Sequence, residues 1–361
     1  MFWKNLQMRR LLMVSALGSF RIAGASWVAL LAARGFTLVE IGVAESCFHA
    51  ASLVFEVPSG AVADVFGRRP TLVLSQCMFI VSAVCMLLLR SMPGICLAMM
   101  MEALAYNLAS GTREALAYES LLADGHEDAY VHYTSLEMAI YRLDNAAAML
   151  CVGAALWMGY RRAYAVDVVL GVCTMLICLR LKEYGHGTKR ISKNVFADLG
   201  LCIKESMRFV YSNRHVMGLM LFNAAVGAVA TLLRFFLQAK LTAKGLPAAL
   251  LGPTLFAMSL GGAIGARLAS VIQQGSGAKI ACMLGVGMGM ILGLCGYPVG
   301  MCLGGFAAAV CDDLLQVHVD AQLNEQFPSE QRATLISVSS LCFSLVMIAL
   351  SPLFGWIFSL S

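Results

Sequence analysis

The sequence predicts an all-α protein that crosses a membrane many times, and three observations carry that prediction. Of its 361 residues, 60% are hydrophobic and only 13% are charged, against about 25% charged in a soluble domain. The apolar residues fall into long runs, near the roughly 20 residues that a spanning helix needs. Alternating segments about ten residues long, the mark of a membrane β-barrel, do not occur.

The runs cover residues 11–33, 38–63, 72–91, 95–122, 133–157, 161–181, 215–238, 247–270, 278–296, 299–320 and 333–358, about eleven spans. The first follows Lys4, Arg9 and Arg10. It is too long for a signal-peptide core, is interrupted by Arg21 and lacks a small-residue cleavage site, so it is expected to be a spanning helix. The more polar stretch 182–213 divides the chain into a six-helix bundle (1–181) and a bundle of about five helices (214–361). Within it Val195, Phe196, Leu199, Cys202, Ile203, Met207 and Val210 recur at helical spacing opposite Asp198, Lys204, Glu205 and Arg208. That pattern fits an amphipathic helix on the membrane surface and equally an ordinary solvated linker helix.

Lys and Arg collect on the cytoplasmic side of a membrane. Arg68 and Arg69 therefore put their turn inside, and Lys189, Arg190, Lys193, Lys204 and Arg208 agree for the linker. The expected location is the cell membrane, with the N-terminus cytoplasmic and, for eleven spans, the C-terminus outside.

Several functions are disfavoured. The net charge of +5 belongs to loops and does not point to nucleic acid. The 13 cysteines are scattered through apolar runs without CxxC or Cys/His spacing, so neither metal nor cofactor is expected. There is no Gly-x-x-x-x-Gly-Lys-Ser/Thr phosphate loop, no His-Glu-x-x-His run and no nucleophile elbow, and an enzyme is not expected.

Ionisable residues inside the spans are the informative ones. Each costs about 2.5–3.5 kcal/mol at a helix centre, so each should face protein or water. Glu45, His49, Ser52 and Glu56 share one helical stripe. Counting 1.5 Å per residue puts Arg21, His49, Asn107, Arg142, Asp144, Asn145 and Asn223 near mid-membrane, with Asp312, Asp313 and Gln316 slightly inward. Arg21, His49, Asn107, Arg142, Asn145, Asn223 and Gln316 are the candidates for holding a small molecule. Glu45, Asp144, Asp312 and Asp313 are the candidates for carrying protons, because the pKa of a carboxylate shifts easily within the membrane. Mutual neutralisation of acids and bases accounts for any single member equally well.

The segment Gly60-Ala-Val-Ala-Asp64-Val-Phe-Gly67-Arg68-Arg69-Pro70 resembles the loop between the second and third helices of the major facilitator superfamily, Gly-x-x-x-Asp-x-x-Gly-Arg-Lys/Arg. It departs at Val65, where that family usually has a base. The resemblance implies a two-bundle fold and secondary transport of a small molecule by alternating access, with proton-coupled efflux by antiport as the expected form. It also implies a monomer in the lipid bilayer. Gly60, Asp64, Gly67, Arg68 and Arg69 would form a gating charge network with Glu56, and Glu119 resembles the network's acidic partner. Asp64 would cap or brace neighbouring helix ends. The second-half counterpart, residues 261–279, has Ala269 where the acid would fall. The fifth span, from Asp144 to Ala155, lacks the proline of the drug-antiporter motif, which weakens a drug exporter. A twelfth helix is not visible, so the alternative expectation is a truncated, transport-inactive scaffold.

Overall fold

The computed structural model describes residues 5–184, 213–273, 275–326 and 332–361. Apart from its first residues and Asn213, the linker expected over 182–213 lies outside them. The described α-helices are α1 (Leu6–Ser19), α2 (Ile22–Ala25), α3 (Trp27–Ala33), α4 (Leu38–Phe66), α5 (Arg68–Leu88), α6 (Met92–Ala109), α7 (Thr112–Ala123), α8 (Tyr130–Leu150), α9 (Val152–Met158), α10 (Tyr160–Cys178), α11 (Arg214–Ala243), α12 (Ala248–Leu268), α13 (Ser276–Gly293), α14 (Pro298–Gln326) and α15 (Arg332–Leu360). Eight helices among the described residues are long and apolar enough to cross a membrane, or nine if α8 and α9, bent by 47°, form one span. The segmented α1–α3 and the charge-bearing α10 correspond to the first and sixth expected spans, so the architecture is consistent with eleven.

The breaks have local causes. Phe20 and Arg21 are extended, dividing the first span. Gly111, at φ 73°, separates α6 from α7 within the fourth. At the chain's start, the Asn5 side chain accepts the backbone N–H groups of Gln7 and Met8 and so caps α1.

The chain forms two compact units, Met1–Leu30 with Cys47–Lys193 and Leu31–Ser46 with Asn194–Ser361. In the first, α1, α5, α7, α8 and α10 enclose a core of Met8, Leu11, Leu72, Leu116, Leu121 and Tyr133. Polar ties add to it: Ser75 Oγ donates to the Ala105 carbonyl at 2.7 Å, and Gln7 exchanges two hydrogen bonds with the Lys182 backbone, at 2.9 and 3.0 Å. In the second unit, α11, α13, α14 and α15 enclose Val216, Met220, Val286, Leu315, Val319 and Leu335. Here α12 approaches α14 so closely that side chains at Gly261 and Gly265 would strike the backbone of Phe306 and Val310. Lipid supplies little hydrophobic drive between helices, so such close backbone approach and polar ties hold membrane bundles together.

The first residues of α4 pack within the second unit. Ser46 Oγ donates to the Ile348 carbonyl of α15 at 2.8 Å. Gly42 lies against Ser351 and Pro352, and Gly355 against Leu38 and Val39. Many large apolar side chains face outward, Trp157 at 85% exposure among them, as lipid contact requires.

Candidate functional site

The turn between α4 and α5 is a single residue, Gly67, at φ 96°, a conformation that strains any side chain. The first N–H groups of α5 then have no intrahelical acceptors. Glu183 supplies them: its carboxylate accepts from Arg68 N at 2.8 Å and Arg69 N at 2.7 Å. It also fills the space beside Gly67, 3.1 Å from where a Cβ would stand. The carboxylate at this helix start is therefore Glu183 rather than Asp64. Asp64 pairs instead with Arg68 one turn on, at 2.8 Å, while Arg68 Nε stands 3.4 Å from Glu119. Arg69 donates to the Leu179 carbonyl at 2.6 Å. Gly60 is exposed and Glu56 half-buried.

A second cluster surrounds the break in the first span. Asp167 of α10 is 1% exposed and accepts from Ile22 N at 2.9 Å and Gly24 N at 3.0 Å, so it replaces the acceptors that the interrupted helix lacks. Arg21 donates to the Gly18 carbonyl at 2.8 Å and lies 3.1 Å from the centroid of the Phe79 ring. Glu102 of α6 is 3.5 Å away. The arginine is held on three sides.

A third network lies elsewhere in the same unit. Glu137 of α8 accepts from Ser15 Oγ at 2.7 Å and pairs with Arg113 of α7. Arg113 also reaches Glu114, at 3.4 Å. This joins α1, α7 and α8 by charge-assisted contacts, which are stronger than neutral ones.

In the second unit, Arg234 of α11 faces Asp312 of α14 at 3.8 Å. Asp312 is buried, and Gly227 gives it room: a Cβ there would stand 3.6 Å from its Oδ1. The neighbouring Asp313 carboxylate lies against Gly262 of α12. Asn223 is half-buried on the Gly227–Arg234 stripe. His318, one to two turns beyond the acids, is buried with Nε2 3.1 Å from the Ala269 carbonyl.

The remaining candidates are dispersed. Asn107 and Ser52 form a reciprocal tie between α6 and α4, at 3.0 and 2.7 Å. Glu45 and His49 are buried on α4. Arg142 and Gln316 are exposed, while Asp144 and Asn145 are half-buried, with Asn145 bonded back to the Tyr141 carbonyl at 2.9 Å. Among the described residues the cysteines are free, and no group of three or more His, Cys, Asp or Glu could hold a metal ion.

Sequence reading missed Glu102, Asp167, Glu183 and the Arg113–Glu137 pair. A signal existed for the first two: each is an acid inside an apolar run. Glu183 carried none, because an acid just past the sixth span looks like any solvated loop residue.

Long apolar helices in two units, with acid–base pairs inside the spans, define a polytopic α-helical protein of the membrane. The chain matches the family model of the Major Facilitator Superfamily over residues 11–352, and it belongs to that family. A relative described as the uncharacterized MFS-type transporter YxaM of Bacillus subtilis (strain 168) is 21% identical over 326 residues, covering 87% of this chain and 79% of its own. The fold is similar to that of the nucleoside transporter NupG, with TM-score 0.76 and 14% identity over 97% of this chain and 90% of that one. It is also similar to a D-xylose-proton symporter, with TM-score 0.65 and 13% identity over 97% and 88%.

Proposed function

We propose that the protein carries a small solute across the cell membrane by alternating access, coupled to protons, with the Gly67 turn on the cytoplasmic face. Superfamily membership across nearly the whole chain carries the transport reading. Proton coupling draws support from carboxylates buried inside spans beside arginines, Asp312 above all, since such groups are expensive there and mark proton and substrate routes. The orientation rests on the bases at Arg68 and Arg69. The network of Asp64, Arg68, Glu119 and Glu183 then closes the cytoplasmic end in the outward-open state. In an Asp64→Asn variant, a cysteine placed on that side becomes more accessible to a membrane-impermeant thiol reagent; unchanged accessibility with normal transport removes the lock.

The test of the main reading is flux of radiolabelled solutes into proteoliposomes with and without a pH gradient. Coupling predicts that the gradient drives accumulation or release. Antiport and efflux correspond to the arm in which an inward proton gradient expels solute. Movement indifferent to the gradient defeats the proton claim and leaves facilitated transport.

A further inference from the structure

The two units each hold an arginine against a carboxylate inside the spans, and the two pairs are built alike. Arg21 stands in the first span and faces Glu102 in the fourth; Arg234 stands in the seventh and faces Asp312 in the tenth. Each pair thus joins the first span of its unit to the fourth, although Arg234 lies nearer the end of its span than Arg21 does of its own. Their surroundings differ. Arg21 donates one N–H to Gly18, lays its flat face on Phe79 and stands 3.5 Å from Glu102. Arg234 has one counter-ion among the described residues, Asp312, and at 3.8 Å it is too far for a hydrogen bond.

A guanidinium carries five N–H donors in a fixed fork that matches a carboxylate or phosphate. In the Arg234–Asp312 pair the arginine is the accessible member, 32% exposed against 8% for the acid. Between Arg214 and Lys240 it is the only Lys, Arg, Asp or Glu in α11, and the cost of a charge in lipid turns it toward protein or water. Asp312 is held from behind, over Gly227, with Asp313 turned away to Gly262.

We propose that Arg234 is the docking point for the anionic group of the solute, and that Asp312 is the internal counter-ion which that group displaces. The solute is thereby an organic anion, carboxylate or phosphate. Asp312 keeps the arginine neutralised in the empty site, where an unpaired charge inside a span would be costly. The solute's anion then makes the bidentate contacts that Asp312 is too distant to make. Arg21, bonded to Gly18, stacked on Phe79 and paired with Glu102, serves the first unit as a brace. The inference rests on the transport reading above, and it names the class of cargo.

The test is thermal stabilisation of the purified full-length protein in nanodiscs by benzoate, succinate and inorganic phosphate, each carboxylate set against its amide, benzamide or succinamide. At least one anion should raise the melting temperature saturably while the amides do not; the carboxylate and phosphate arms identify which head group fits. Arg234→Gln should weaken that affinity about tenfold or more, and Arg234→Lys should recover part of it. Asp312→Asn should strengthen it severalfold, which a purely structural aspartate would not do. Equal stabilisation by the amides, no response to any of the anions, unchanged affinity in Arg234→Gln, or weakened affinity in Asp312→Asn each overturns the proposal. Flux in proteoliposomes separates the two readings. Transport of neutral solutes that survives Arg234→Gln defeats the anion site and spares the transporter, whereas anion binding without flux of any bound anion does the reverse.

Discussion

Arg21 and Arg234 each stand in the first span of their unit, and they are treated differently. Arg21 sits at a helix break, where Asp167 receives the stranded N–H groups of Ile22 and Gly24 and the arginine is stacked, bonded and paired. Arg234 sits in an unbroken 30-residue helix beside one loosely paired aspartate. A charge inside a span is tolerable either when the fold bonds, stacks and pairs it or when a ligand and an internal counter-ion take turns with it. The first unit adopts the former arrangement and the second is suited to the latter.

Variants can break this comparison, beginning with the most disruptive. Asp167→Ala strands two backbone donors in a buried site and should cost about 3 kcal/mol, read as a lower melting temperature in detergent. Asp312→Ala should cost distinctly less, and equal losses would erase the contrast between the units. Arg21→Gln removes the ring contact and the Gly18 bond, for roughly 2 kcal/mol, with anion affinity unmoved; Arg234→Gln should show the opposite pattern. Glu183→Gln weakens the cap on α5 by about 1 kcal/mol, seen as faster hydrogen exchange at the Arg68 and Arg69 amides with little change elsewhere. The smallest effect belongs to Asn107→Ala, which cuts the tie to Ser52 and should cost about 0.6 kcal/mol, the average for a polar contact between membrane helices. A loss several times larger would make Asn107 part of a wider network than its two bonds.

Much of the fold was legible in advance because its causes are local. Apolar runs of spanning length forecast the helices, and the interruption at Arg21 falls where the first span breaks. The turn was legible because Gly67, Arg68 and Arg69 are consecutive and the opposing Glu119 closes a recognisable pattern. The site was less so. Depth counting put Arg142, Asn145 and Gln316 among the candidates, and the structure brings none of them to the pairs described above, with Asn145 bonded within its own helix. Depth along a helix says nothing about azimuth relative to neighbours. Glu102, Asp167 and Glu183 were passed over because each acquires its meaning from a partner far away in the chain, as Glu183 does from Arg68, 115 residues off.

By itself the sequence determined that this chain must lie in a membrane as helices, since hydrocarbon excludes unpaired backbone and each helix satisfies its own. It also determined the superfamily's turn. Only the tertiary structure decided which acid meets which base, because that depends on how helices rotate and pack, and small residues such as Gly227, Gly261 and Gly265 permit the approach. The same packing left one arginine bonded and stacked and the other facing a single carboxylate at 3.8 Å among the described residues.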